Sequence, residues 1–265
     1  MNPNDFKVTI APELICQPVL DHGFVRYIEH MGSDQRIVES ARVSYHQPSK
    51  GEEADKKLLL YLYKNKHTSP FEMVKLMLNI KLPIFVMRQY VRHRMQNLNE
   101  VSARYTELPN EFYIPKDWRK NLKAGQNKQQ SEVAEFGLLT WFDQHEEAPE
   151  GSASVYTMKG MTLSEALVKH CELSYTLYQH MIRVGVAREL ARMVLPVNIY
   201  TECYVCWDLK NLLHFITLRE DAHAQWEHQQ YGTAIRRILN HLFPWTMEAF
   251  KKFKFPVIEM TETKE

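Results

Sequence analysis

Residues 73–82 alternate without a break: Val74, Leu76, Leu78, Ile80 and Leu82 stand in one phase, and Met73, Lys75, Met77, Asn79 and Lys81 in the other. A period of two belongs to a strand, because successive side chains point to opposite faces, so this run lays one apolar row against a core. Pro83 ends it. A proline suits the first turn of a helix, where its missing N–H has no intrahelical partner to lose, and residues 84–95 are expected to be helical. A second alternating run, 197–207, puts Val197, Ile199, Cys203, Val205 and Trp207 in one phase.

Helical patterns surround these strands. Residues 34–44 carry Ser33 or Asp34 as cap and Ile37, Val38 and Ala41 on one face, and residues 56–64 form a second stretch. Thr162 and Glu165 have capping-box spacing ahead of a stripe of Leu167, Cys171, Tyr178, Met181 and Ile182 that stops near Gly185. A short helix over 187–194 is stopped by Pro196; Asp208 is expected to cap a helix to Leu218, and Asp221 another to about Leu242. Strands and long helices mix without regular βα alternation. This predicts an α+β fold, a mixed central sheet flanked by long helices, rather than a doubly wound one. Neither a Gly-x-Gly-x-x-Gly nor a Walker sequence occurs, so the two usual phosphate loops are missing.

With 265 residues, 45% of them hydrophobic, the chain can bury a full core. No Gly/Ser- or Pro-rich linker divides it, so residues 1–265 are expected to be one domain with a polar excursion at about 116–160, partly helical around 131–142. Thirty-three basic against 32 acidic side chains leave a formal charge of +1. That lacks the basic excess with which proteins hold nucleic acid or an anionic membrane, so any anion site is local. Residues 1–20 carry Asp5 and Glu13 and no long apolar run, unlike a secretory signal or a membrane span. The four cysteines do not make a disulfide scaffold, and the chain reads as cytoplasmic. Cys203 and Cys206 form a C-x-x-C pair, but they sit in a strand pattern and no second pair completes a zinc site.

The least ordinary stretch is 88–105, where Arg88, Arg92, Arg94 and Arg104 face a single acid, Glu100. On a helix Gln89, Arg92, His93 and Gln96 share a face and Arg94 points elsewhere. Beyond it Asn99, Glu100, Ser102 and Arg104 supply amide, carboxylate, hydroxyl and guanidinium, which together read both a phosphate and a base or sugar edge. A solvated basic helix accounts for the charge, but not for His, Gln, Asn, Ser and Tyr at this density. Three further clusters stand out: His67-Thr68-Ser69-Pro70-Phe71-Glu72, the pair Arg188 and Arg192, and Arg219 with His223 around Asp221. Taken singly, each has an ordinary structural role as well. His223, Glu227 and His228 lack the His-Glu-x-x-His pattern, and no metal site is expected.

Arg92-His93-Arg94, seven residues and then Ser102 resembles the signature of the flavin-dependent thymidylate synthases. The similarity runs in order through Gly23-Phe24-Val25, Ala41-Arg42-Val43-Ser44, His67-x-Ser69-Pro70-Phe71-Glu72, Pro83-Ile84-Phe85-Val86 and Phe112-Tyr113-Ile114-Pro115. It resumes at Gly185-Val186, Arg188-Glu189, Ala191-Arg192, Val194-Leu195-Pro196, Arg219 and His223-Ala224-Gln225-Trp226-Glu227. The resemblance implies an α+β homotetramer with active sites shared between subunits. It implies FAD as cofactor and the conversion of dUMP to dTMP, with methylenetetrahydrofolate and NADPH as co-substrates.

The same resemblance places Gln89, Arg92, Glu100, Ser102, Ala103, Arg104, Arg192 and Arg219 at dUMP. Ser44, Ser69, Arg92, His93, Arg94, Asn99, Glu100, Lys210, His214 and His223 fall at FAD. Asp208, Lys210 and His214 stand where some members carry Asn, Arg and Asn, and the negative charge removes Asp208 from the set. His67 falls beside the flavin ring. Arg219 is the candidate for stabilising charge on a uracil carbonyl while C5 is activated. The reading of another class is a single-stranded RNA or nucleotide-binding module without catalysis, with Arg92, Arg94 and Tyr105 as its charge and stacking platform.

Overall fold

The computed structural model of the chain describes residues 15–121, 131–139, 158 and 160–253. Most of the N-terminal segment and much of the polar excursion, with the end of its expected helix at 140–142, lie outside the described residues. The strands are β1 (Cys16–Val19), β2 (Gly23–Met31), β3 (Lys75–Pro83), β4 (Gln96–Glu100), β5 (Arg119–Asn121), β6 (Ser131–Val133) and β7 (Tyr200–Asp208). The helices are α1 (Asp34–Arg42), α2 (Glu52–Lys64), α3 (Ile84–Tyr90), α4 (Leu163–Arg183), α5 (Arg188–Ala191), α6 (Leu209–Arg219), α7 (Trp226–Leu242) and α8 (Pro244–Phe253). Helix and sheet are mixed as expected. The chain divides into two compact units, one from residues 1–82, 86–100 and 201–265, the other from 83–85 and 101–200.

In the first unit the sheet runs β1-β2-β3-β7-β4. The β1–β2, β2–β3 and β4–β7 ladders are antiparallel. The predicted apolar phase of β3 is the buried one: Leu76, Leu78, Ile80 and Leu82 are fully enclosed. Asn79, in the opposite phase, is enclosed as well, and its amide is satisfied across the sheet. Asn79 Oδ1 accepts from Arg26 Nη1 at 3.3 Å, and Nδ2 donates to Glu202 Oε1 at 2.9 Å and to the Cys203 carbonyl at 3.3 Å. A buried amide left unpaired costs about 1–3 kcal/mol, so these bonds tie β2, β3 and β7 together.

Local chemistry sets the helix starts. Ser33 caps α1 through the Arg36 amide, and Asp208 caps α6 through the Asn211 amide, both as expected. Asp34 does more than open α1. Its carboxylate accepts from the Trp245 and Thr246 amides and the Thr246 hydroxyl, so it holds the exposed N–H groups of α8. The α8 helix packs on α2, and α7 lies on β1 and β2.

Three expectations need correction. The helix from residue 84 ends at Tyr90, and residues 96–100 form β4, whose backbone groups are taken by β7 from Trp207 to Cys203. Sheet pairing overrides the helical pattern, so Gln89, Arg92, His93 and Gln96 do not share a helix face. Asp221 caps no helix: its carboxylate accepts from the backbone N–H of His223, and α7 begins five residues later at Trp226. Residues 131–139 are not helical; Ser131–Val133 pairs with Arg119–Asn121 as a two-stranded ribbon.

In the second unit α4 begins with the predicted capping box of Thr162 and Glu165. It buries Ala166, Cys171 and Tyr178, and Cys171 joins a small core with Ala103, Leu108, Phe112 and Ile199. Asn198 fastens this core, donating to the Tyr113 carbonyl at 3.0 Å while its own carbonyl accepts from the Tyr113 amide at 2.9 Å.

One close approach in the first unit tests its packing. Tyr231 of α7 donates its hydroxyl to the Lys81 carbonyl at 2.8 Å over Gly23. A Cβ at position 23 meets that hydroxyl, and it lies 2.7 Å from the Val19 carbonyl oxygen and 2.8 Å from the Lys81 carbonyl oxygen. Gly23→Ala is therefore expected to destabilise by about 3 kcal/mol in urea unfolding. Adding Tyr231→Phe should not restore the loss, because the two backbone oxygens remain. Full rescue by the second substitution would contradict this packing.

Candidate active site

The segment between α3 and β4 is a five-residue turn, 91–95. The Arg92 and His93 amides reach back only three residues, to the Gln89 and Tyr90 carbonyls, which tightens the last helical turn. Arg92 and Arg94 are left exposed, with no ion pair to any described residue. His93 turns inward. Its ring packs edge-on to Phe215 at 4.8 Å between centroids, and Trp207 lies 6.3 Å away.

There the His93 imidazole meets a cation. Arg219, in the last turn of α6, donates Nε–H to His93 Nε2 at 2.8 Å. An acceptor at Nε2 places the ring proton on Nδ1. Burial first, then the positive charge of Arg219 and the field of His214, lower the His93 pKa to about 4, so the ring stays neutral. Behind it His228 is fully enclosed, stacked on Tyr90 at 6.0 Å, and neither ring nitrogen has a hydrogen-bond partner among the described residues. Burial, followed by the Arg219 charge, lowers its pKa to about 3. Tyr90 accepts from Trp207 Nε1 at 3.0 Å, which closes the aromatic box. The result is a half-buried guanidinium held through one N–H by a neutral base, with its two terminal nitrogens bonded to no described residue.

The other expected residues of this unit fall around the same sheet and helices. Lys210 and His214 lie one turn apart on α6, and Lys210 reaches Glu72 at 3.8 Å. His67, Thr68 and Lys210 line a small dimple with Leu62, Tyr63, Phe71 and Leu213, so His67 and Lys210 are brought together. Ser69 is exposed at the start of the 3-10 turn Ser69–Met73. Asn99 and Glu100 are on β4, where Glu100 Oε1 accepts from the Thr201 hydroxyl at 2.7 Å. His223 is exposed, its Nδ1 at 2.6 Å from Asp221. Ser44 is exposed in the turn Val43–Tyr45, and no described contact joins it to the rest. Its loop is pinned by the buried pair Arg42–Asp55 at 2.6 Å and by Ser49. Burial alone pushes the Asp55 pKa up, but the hydrogen bonds from Ser49 and Arg42 outweigh it and hold the carboxyl below its ordinary range.

The second unit gathers Ser102, Ala103, Arg104 and Arg192. Ser102 Oγ accepts from the Arg104 amide at 3.3 Å, in a tight turn around buried Ala103. Arg104 pairs with the Glu189 carboxylate at 3.5 Å, and Arg192 donates to the Glu189 carbonyl at 3.4 Å. Glu189 therefore draws two expected anion-binding guanidiniums to one place. Both remain exposed.

Residues 26–245 match the thymidylate synthase complementing proteins, a stretch that includes the Arg92-His93-Arg94 turn and Arg219. The chain belongs to this family. Among members of the thymidylate synthase complementing family, it is 45% identical over 236 residues to a flavin-dependent thymidylate synthase of Thermus thermophilus, covering 89% of this chain and 78% of that protein. It is 40% identical over 237 residues to the same-named protein of Thermosipho africanus, covering 89% and 94%. The UMP/dUMP methylase PolB from Streptomyces cacaoi, solved with 5-Br UMP, superposes with a TM-score of 0.70 at 28% identity, over 87% of this chain and 94% of that one.

Three residues given no binding role by the sequence pack around Gln89, His93 and Arg219. His228, weighed as a metal ligand, is instead an enclosed neutral base, and among the described residues no group of three or more His, Cys, Asp or Glu is placed to hold a metal. Gln225 and Glu227 form a hydrogen-bonded chain to Gln89. Gln225 is half-buried before, and Glu227 buried in the first turn of, the amphipathic helix α7, and no pattern in the sequence marks their burial.

The enclosed His228 makes stability depend on pH. Unfolded, it takes up a proton near its ordinary 6.5; folded, it resists until about 3, with Arg219 and His93 facing it. The unfolded state therefore binds more protons between these values, and stability is lost as pH falls through that window. Urea unfolding at pH 7 and pH 5 should show His228→Leu losing about 2 kcal/mol less than the parent across this step. Equal losses would mean that His228 titrates normally in the fold.

Proposed function

We propose that this chain makes thymidylate by reductive methylation of dUMP, with methylenetetrahydrofolate as carbon donor and NADPH-reduced FAD as hydride source. The observation that carries the reading is the Arg219 guanidinium, held by neutral His93 with its terminal nitrogens bonded to no described residue. Activating uracil C5 shifts electron density onto the ring carbonyls, and a preorganised planar donor stabilises that charge as it develops. His93 orients the guanidinium without neutralising it. Of the residues expected at dUMP, Gln89, Arg92, Glu100 and Arg219 belong to the first unit, and Ser102, Ala103, Arg104 and Arg192 to the second.

The donor set also fits FAD. Arg92 and Arg94 have no carboxylate partner among the described residues and suit a diphosphate. Lys210 and His214 add donors on one helix face, and Ser44, Ser69, Asn99, Glu100 and His223 supply hydroxyl, amide, carboxylate and imidazole groups. His93 keeps Nδ1–H for the same ligand. Bound FAD, once reduced, supplies the hydride that no side chain provides. His67, at the concavity it shares with Lys210, is the residue assigned to the flavin ring.

The whole chain acts in this reading as one domain of a cytoplasmic homotetramer with shared sites. The second unit supports such assembly. The 21-residue helix α4 exposes Leu173, Leu177 and Val168, and Val184 and Met193 are exposed beyond it at 62% and 70%. Apolar side chains at this density mark a contact surface. Among the described residues no helix is long and apolar enough to cross a membrane.

A thiolate route to thymidylate needs an activated cysteine beside the nucleotide. Burial, then Glu100 and Glu202, push the Cys203 thiol up to about 12. Purified protein supplied with FAD, dUMP, methylenetetrahydrofolate and NADPH without oxygen is expected to form dTMP. Cys203→Ala with Cys206→Ser should keep the rate within about tenfold, allowing for a packing loss. Absence of dTMP from the FAD-loaded parent would overturn the function; its absence only from the folded double variant would restore the thiol route.

Arg219→Lys should retain fold and FAD while losing about a hundredfold in turnover, because an ammonium cannot replace a planar donor pair. Steady-state dTMP formation measures this, and near-parental turnover would remove Arg219 from the chemistry.

A further inference from the structure

Gln89 lies at the end of α3, half-buried, and its Nε2 donates to Gln225 Oε1 at 2.6 Å. Gln225, the residue before α7, donates its own Nε2 to Glu227 Oε2 at 2.9 Å. Glu227 is buried in the first turn of that helix. A carboxylate offers lone pairs and no proton, so the only amide atom of Gln225 that suits it is nitrogen. That choice propagates. With its nitrogen turned to Glu227, Gln225 presents oxygen, and among the described residues that oxygen is met by the amide nitrogen of Gln89. The polarity of all three side chains is thus set from Glu227, and it ends at Gln89 Oε1, which no described residue satisfies.

We propose that Glu227 and Gln225 are positioning residues that lock the Gln89 amide with its oxygen toward the nucleotide, so that the site demands a hydrogen-bond donor from its ligand. The inference rests on the reading of Gln89 as a dUMP contact. A deoxyuridine nucleotide offers two such donors, the ring N3–H and the sugar 3′-hydroxyl. Cytosine carries a lone pair at N3, and a locked amide oxygen repels it; an amide free to rotate would turn its nitrogen there. The relay therefore acts on selectivity more than on affinity, because it forbids the amide the alternative that would welcome the wrong partner.

Calorimetric titration of the FAD-loaded protein separates the possibilities, using dUMP, dCMP and 2′,3′-dideoxyuridine monophosphate. The parent is expected to bind at least one of the two analogues about tenfold or more weakly than dUMP, and the analogue affected identifies the donor that Gln89 reads. In Gln225→Leu that ratio should shrink to about twofold, because the Gln89 amide is released to rotate. In Glu227→Gln, whose amide accepts either polarity, the ratio should shrink to an intermediate value. A merely structural role would weaken all three ligands together and leave the ratios unmoved. Unchanged ratios in both folded variants, or a parent that binds both analogues as well as dUMP, would overturn the proposal. A parent that takes no dUMP strikes the functional reading first, and the proposal with it.

Discussion

The ladder between Gln96–Glu100 and the Cys203–Trp207 stretch of β7 is the constraint on which the site depends. Once β7 takes the backbone groups of those five residues they cannot be helical, and the helix gives way to a turn between Tyr90 and Gln96. That turn separates side chains a helix would have kept together. Arg92 and Arg94 go to the surface, and His93 goes inward between Trp207 and Phe215. The same ladder places Trp207 where its indole N–H reaches Tyr90, so the register of one edge strand shapes both the cationic turn and the aromatic box behind it.

Within that box the electrostatics favour a cation that is held and not quenched. A carboxylate beside Arg219 would fix it more strongly but would cancel the charge it offers a ligand. A neutral imidazole fixes it by a single acceptor. Burial keeps His93 and His228 unprotonated, and the guanidinium itself adds to that effect on both rings. The arrangement is self-consistent: the cation adds to the burial that keeps His93 and His228 from acquiring charges that would repel it.

Much of the architecture is legible in the sequence where a local rule decides it. The period of two in β3, the capping box before α4 and the Asp208 cap each rest on interactions within a few residues. The helix from Ile84 was legible at its start, where Pro83 sets the dihedral, and not at its end, where a partner strand more than a hundred residues away intervenes. Asp221 carries a capping side chain, yet its oxygen is spent on His223, two residues on. The β1–β2 hairpin and α8 gave no usable period; β2 meets β1 on one side and β3 on the other, and α8 buries Trp245, Thr246, Met247 and Ala249 in near succession. For the site, the order of residues marked out Arg92, His93, Arg94 and Arg219, but no local pattern announces that His93 and Arg219 touch across 126 positions. Nor does one show that Asn79, in a polar phase between two lysines, is enclosed.

The carboxylate of Asp34 has a consequence in time. It opens α1 early in the chain, yet the amides it accepts from belong to Trp245 and Thr246, 211 and 212 residues further on. A ribosome adds roughly 5–20 residues per second, so for ten seconds or more of synthesis this acid waits without the groups that justify its burial. The first unit is assembled from three separate stretches of chain, the last of which carries α6, α7 and α8. Its folding therefore waits on the emergence of its last stretch instead of proceeding as the chain appears. Until the final helix is free of the exit tunnel, the nascent protein is a set of unclosed surfaces, and this is the interval in which it has most need of protection by other proteins.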